Sequence, residues 1–175
     1  MDSKGTVLPK GERGEIVVRS SLVMAGYYKD PEATAAASRF GWHHTGDIGY
    51  LDDEGYLFIV DRLKDMIITG GFNVYSAEVE QALMQHPAVR DCAVVGLPDD
   101  KWGERVTAVI ESSADVEPDE LVAFVKARIG SVKAPKQVEL WQQLPRSRVG
   151  KVLKADVRTR LLHEQDPVRD RAPRA

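Results

Sequence analysis

The sequence predicts an α+β chain, in which a small C-terminal α+β domain, a short sheet with packed helices, follows a fragment of a β-rich subdomain. Three observations carry this. Before Asp61 the apolar residues fall in short runs separated by turn residues, the pattern of strands in hairpins. After Asp61 such runs alternate with stretches of helical periodicity. A hydrophobic content of 43% over 175 residues is enough for one ordinary domain, or for one small domain plus part of another.

In chain order, Glu15 to Tyr28 reads as strand material, with Ile16, Val17 and Val18 followed by Leu22, Val23 and Met24. Pro31 to Ala37 reads as a short helix, with proline at its first position, where the missing N–H costs nothing, and Glu32 at the positive helix end. Asp47 to Leu51 and Tyr56 to Val60 form a hairpin around Asp52-Asp53-Glu54-Gly55. Met66 to Thr69 and Phe72 to Tyr75 are short strands flanking Gly70-Gly71. Ser76 is expected to cap a helix that carries Val79, Ala82 and Leu83 on one side and stops at His86-Pro87. Val89 to Leu97 and Glu104 to Glu111 read as strands, and Pro118 to Ile129 as a helix ended by Gly130. Val138 to Trp141 is the last strand and Leu153 to Leu162 the last helix. Glu164 to Ala175, with two prolines and mixed charge, reads as a disordered tail.

The domains are therefore expected at 1–60, 61–165 and 166–175, with unpaired strand edges in the first inviting self-association. A net charge of −3, from 24 basic and 27 acidic residues, supports neither nucleic acid nor an anionic membrane as partner. No apolar run reaches the length of a transmembrane segment. The polar start Met1 to Gly5 lacks the build of a signal peptide, and the single cysteine, Cys92, sits in an apolar run and reads as a small buried hydrophobe; both suit a cytoplasmic protein. His43-His44 lacks metal-ligand spacing with His86 and His163, so a structural role is favoured.

Three landmarks point to one family. The run from Asp61 to Glu80 places a charged joint, an apolar strand, a glycine pair and a helix start in succession; Thr45-Gly46-Asp47 precedes it; Leu144-Pro145-Arg146 and Gly150-Lys151 follow. Together they resemble the C-terminal part of an adenylate-forming acyl-CoA synthetase. The resemblance covers nearly everything from Gly11 to Leu162 and implies the following roles. Lys151 is the adenylation lysine, a flexible ammonium on a mobile loop that bridges carboxylate and phosphate; without the resemblance the favoured reading is a solvated lysine beside Arg146, Arg148 and Lys154. Asp47 accepts the ribose hydroxyls of ATP or AMP and Arg62 reaches the same nucleotide, against a turn aspartate and a surface ion pair. Asp61 is the hinge about which the last domain turns. Gly70, Gly71 and Phe72 pass the pantetheine arm of CoA, Trp102 stacks on its adenine, and Lys136, near Lys133, meets its phosphates. A plain hairpin turn and packing over a strand end are the other readings of the glycines and of Trp102. The sequence departs from the family at Val132, where an aromatic is usual, and at Arg148-Val149 in the lysine loop.

ATP and CoA are thus the implied substrates. Mg²⁺ accompanies ATP, with its ligands outside this chain, since the glycine-rich phosphate loop is absent. The implied partners are a carboxylic acid of the fatty class and an N-terminal ligase domain whose pocket selects the acid. The chain alone is expected to be inactive. A noncatalytic binding or regulatory module from a truncated ligase gene is the alternative, and luciferase-like oxidation of an adenylate is a third reading.

Overall fold

The computed structural model describes residues 1–165. The expectation of a disordered 166–175 lies outside the described residues. Two compact units meet the eye, one spanning Met1–Lys64 and the other beginning at Asp65.

The first unit is a three-stranded antiparallel sheet in the order β1 (Gly14–Val18), β2 (His43–Leu51), β3 (Leu57–Arg62). The β2–β3 hairpin turns at Gly55, whose φ of +91° suits a residue without a Cβ. A bulge between Ile48 and Gly49 shifts the register, so that Asp47 faces Arg62 and Ile48 faces Asp61. Helix α1 (Pro31–Ala37) begins as expected, with Asp30 accepting from the Ala33 N–H and Pro31 in the first turn. It buries none of its residues.

One expectation fails here. Only Gly14–Val18 is strand; Leu22, Val23 and Met24 lie outside any strand, with Leu22 94% exposed. The Ser20 hydroxyl accepts from the Leu22 N–H and closes a local turn instead of leaving that N–H for a ladder.

The second unit is a five-stranded sheet built from β4 (Ile67–Thr69), β5 (Phe72–Val74), β6 (Val89–Asp99), β7 (Gly103–Ser112) and β8 (Gln137–Leu140). The path runs β5-β4-β7-β6, and β8 joins β7 in parallel. Helices α2 (Ser76–Leu83) and α3 (Pro118–Ile129) cover one face, and α4 (Lys154–Gln165) the other. The continuous apolar run in β6 follows from that double cover. Cys92 and Val94 point toward Leu83, Leu121 and Val125, whereas Ala93, Val95 and Leu97 point toward Trp141, Val157 and Leu161. Burial pushes the Cys92 thiol up to about 12, with Glu80 and Asp91 adding to the rise, so it is a packing group and not a nucleophile.

Two further expectations are corrected. Ser76 is the first residue of α2 and Tyr75 stands at the cap position; the buried Ser76 hydroxyl instead accepts from Lys154 Nζ at 2.8 Å. Glu164 belongs to α4, which reaches Gln165. Among the described residues no helix is long and apolar enough to cross a membrane.

Candidate functional site

In the first unit, Asp47 and Arg62 are brought together as cross-strand partners, with Arg62 Nε 3.3 Å from Asp47 Oδ1. The bend before Asp47 is built by its neighbours. Thr45 Oγ1 donates to the Ile16 carbonyl at 2.8 Å and accepts from the Asp47 N–H at 3.1 Å, while Gly46 takes a φ of +74°. Glu15 organises the same bend, accepting from the Gly46 N–H at 3.2 Å and lying 2.7 Å from His44 Nδ1. Sequence reading misses Glu15, because nothing local to a strand glutamate foretells partners 29 and 31 residues away. Asp61 is 8% exposed and its carboxylate accepts from the Arg62 N–H at 2.8 Å. It sits within β3, three residues before the first unit ends at Lys64.

In the second unit, Gly70-Gly71 is a two-residue turn joining β4 and β5, with Thr69 opposite Phe72. Both glycines have positive φ, +57° and +82°, the sign pattern that matches the right-handed twist of a tight hairpin. The Gly70 N–H donates to the Trp102 carbonyl at 2.8 Å, and a Cβ at Gly70 would come within 3.2 Å of the indole ring. No atom would lie within 4 Å of a Cβ at Gly71. Asp99 fixes the other side of the site by accepting from the N–H groups of Lys101 and Trp102. Lys101 and Lys136 place their ammonium groups 4.8 and 5.8 Å from the Trp102 ring. Burial, then the nearby Lys126 charge, lowers the Lys136 pKa. Gly70, Trp102 and Lys136 therefore form one aromatic and cationic patch, with Phe72 exposed on the edge strand beside the turn. Lys133, by contrast, is paired with Glu78 at 2.6 Å.

Lys151 is exposed, on a tight turn and not on a free loop. Gly150 N–H donates to the Ser147 carbonyl at 2.9 Å, Ser147 N–H to the Lys151 carbonyl at 2.8 Å, and Lys151 N–H to Ser147 Oγ at 3.2 Å. Arg146 and Val152 pair as an antiparallel bridge, and Leu153 N–H donates to the Pro145 carbonyl at 2.9 Å. The expected mobile loop is thus tied at its base by backbone hydrogen bonds and a bridge, while the Lys151 side chain stands exposed.

The two candidate regions of this unit occupy opposite ends of one strand pair. Arg146 anchors the lysine turn to Asp91 and Glu111, which face each other across β6 and β7. The Trp102 turn hangs from Asp99 and Gly103, the pair at the other end. Eight residue steps of β6, from Asp91 to Asp99, separate their anchor points; at ~3.3 Å per step this is about 26 Å of strand. Among the described residues no group of three or more His, Cys, Asp or Glu side chains could hold a metal ion.

Residues 78–151 match the family model of the AMP-binding enzyme C-terminal domain. Over those residues the chain is similar to the C-terminal domain of the AMP-binding enzymes. Among curated proteins it is 49% identical over 158 residues to a feruloyl-CoA synthase of Amycolatopsis sp, covering 89% of this chain and 32% of that protein. It is 45% identical over 166 residues to the long-chain-fatty-acid–CoA ligase of Bacillus subtilis (strain 168), covering 94% of this chain and 29% of that protein. The amide bond synthetase McbA of Marinactinospora thermotolerans superposes with a TM-score of 0.82 at 44% identity, over 91% of this chain and 33% of that one. The chain thus spans about a third of the relatives it matches.

Proposed function

We propose that the chain is the C-terminal portion of an ATP-dependent acyl-CoA ligase. In the first step a carboxylate oxygen attacks the α-phosphorus of ATP, forming acyl-AMP and releasing pyrophosphate. In the second, the CoA sulfur attacks the acyl carbonyl and AMP leaves. Residues 1–60 supply the distal β-rich part of the large AMP-binding domain, with Asp47 and Arg62 on the ribose and phosphate. Residues 61–165 turn about Asp61, presenting first Lys151 to the developing charge on phosphate and then the Gly70, Gly71, Phe72, Trp102 and Lys136 patch to CoA. ATP brings Mg²⁺, whose ligands belong to the N-terminal ligase domain.

The observation that carries this reading is the placement of the lysine turn and the aromatic patch at opposite ends of the β6–β7 pair, on strand positions about 26 Å apart. A single reacting carbonyl cannot touch both at once, so the two ends suit two successive steps separated by a rotation. The acid is proposed to be fatty, with an aromatic acid as the competing outcome, because the two curated relatives are named for one of each.

The experiment is acid-dependent ATP–pyrophosphate exchange by the 175-residue chain, alone and mixed with the AMP-binding N-terminal portion of the feruloyl-CoA synthase, using fatty and aromatic acids. Activity only in the mixture, falling about 10²-fold or more in Lys151→Ala, is expected, since removing one preorganised charge-stabilising group costs that much. Exchange by the chain alone, or no exchange by any mixture of folded proteins, overturns the proposal; the latter outcome favours a noncatalytic module.

A further inference from the structure

We infer that Arg146 is a positioning residue: its guanidinium, forked between Asp91 and Glu111, clasps the turn that carries Lys151 to the rigid end of the β6–β7 pair. The geometry is closed on every side. Arg146 Nη2 lies 2.7 Å from Asp91 Oδ2 and 3.1 Å from Glu111 Oε2, and Nη1 donates to the Gly150 carbonyl at 3.2 Å. One side chain therefore holds both the strand pair and the residue immediately before Lys151. Glu111 is 4% exposed and fully engaged, since it also accepts from the Leu144 N–H at 3.1 Å and from Arg90. A planar guanidinium can serve two carboxylates and a carbonyl together, whereas an ammonium is a single point of charge.

The downstream side of the turn is tied as well. Lys154 Nζ meets Ser76 Oγ and Glu80 Oε1, each at 2.8 Å, and the same Glu80 oxygen accepts from the Val94 N–H at 2.8 Å. Five residues of turn, Ser147 to Lys151, are thereby mounted between a clasp on β6 and β7 and a clasp on α2. A mount of this kind removes backbone search from the motion of Lys151 and leaves only its rotatable stem, which is how misplacement is avoided in a step sensitive to distances of about 1 Å. The structural clasp stands by itself; its consequence for adenylation rests on the ligase reading above.

Amide hydrogen exchange on the 175-residue chain tests the clasp. In Arg146→Ala, the Ser147, Lys151 and Leu153 amides should exchange on the order of tenfold faster or more, while Val94 and Val109 in the strand pair keep their protection. Arg146→Lys should give an intermediate acceleration at the same three amides, and it decides the matter if the alanine variant loses the core protection too. Unchanged exchange at Lys151 and Leu153 in the lysine variant, or in an alanine variant whose core is intact, overturns the inference. In the mixed assay, Arg146→Ala should lower kcat for acyl-AMP formation roughly 10- to 100-fold with little change in KM, and leave thioester formation from supplied acyl-AMP unaltered. Equal losses in both steps would mark Arg146 as merely structural. An exchange result that supports the clasp beside a mixture insensitive to Lys151→Ala would refute the ligase reading and not the clasp.

Discussion

The two units of this chain use the same secondary structure to different ends. In the second, β6 and β7 are apolar on both faces because α2 and α3 cover one side and α4, with Trp141 and Leu144, the other. In the first, three strands carry one small helix that buries nothing, and Leu57, Phe58 and Ile59 in β3 all stand partly in water. Its buried apolar side chains are few, with Met1 and Ile48 prominent among them. A three-stranded sheet needs an apolar face packed against something before it is stable by itself. The second unit holds two buried apolar clusters, whereas the first buries few apolar side chains.

The sharpest way to break this comparison is to cut the chain. Residues 65–165 should unfold cooperatively in urea, with dispersed amide resonances in water, while residues 1–64 should lack a cooperative transition. A sigmoidal urea transition from the shorter piece alone would show that its exposed apolar residues find enough cover within the unit. A smaller but cleaner contrast comes from paired substitutions. Leu121 is fully buried between α3 and the sheet, so Leu121→Ala should cost about 2–5 kcal/mol. Ile59 is 69% exposed, and Ile59→Ala should change stability by less than about 0.5 kcal/mol. Both values are read from urea midpoints of the 175-residue chain, and comparable costs at the two sites would erase the distinction.

The same division governs what the sequence reveals. Where the determinants are local, reading succeeds: Pro118 to Ile129, opened by proline and closed by Gly130 at a φ of +86°, is a helix over those residues, and Gly70-Gly71 turns a hairpin. Periodicity also identifies Val79, Leu83, Leu121, Val125, Val157 and Leu161 as core, because each helix has a sheet to face. Reading fails where a long-range partner decides. Leu22 looks like strand but is 94% exposed, with almost no cover within its unit. Ser76 looks like a cap, yet its hydroxyl is taken by Lys154, 78 residues on. Arg146 looks like one more solvated cation near Lys151, and only the folded β6–β7 pair reveals Asp91 and Glu111 beneath it, 55 and 35 residues earlier. The candidate site is thus legible as a set of residue types and illegible as a mount.

Acid provides the finest comparison of the units, because each contains a carboxyl held below its usual range by different means. Asp2, in the first, is solvent-exposed and lowered chiefly by hydrogen bonding from the Thr6 N–H. Glu111, in the second, is pushed up by burial, but the Leu144 N–H, Arg90 and Arg146 outweigh that push and leave it below its ordinary value of 4.5. A depressed folded pKa means that the unfolded chain takes up the proton first as pH falls. The contribution of Glu111 is therefore complete above about pH 4.5 and is lost as pH drops through its lower folded value. Glu111→Gln removes that titration, so the urea midpoint of wild type should fall more steeply than that of the variant below pH 4.5. Asp2→Asn should leave the slope of the second unit's transition unchanged. Parallel slopes for wild type and Glu111→Gln would show that the strand-end carboxylate binds its proton equally in the folded and unfolded chain, and that the clasp beneath Lys151 draws nothing from its charge.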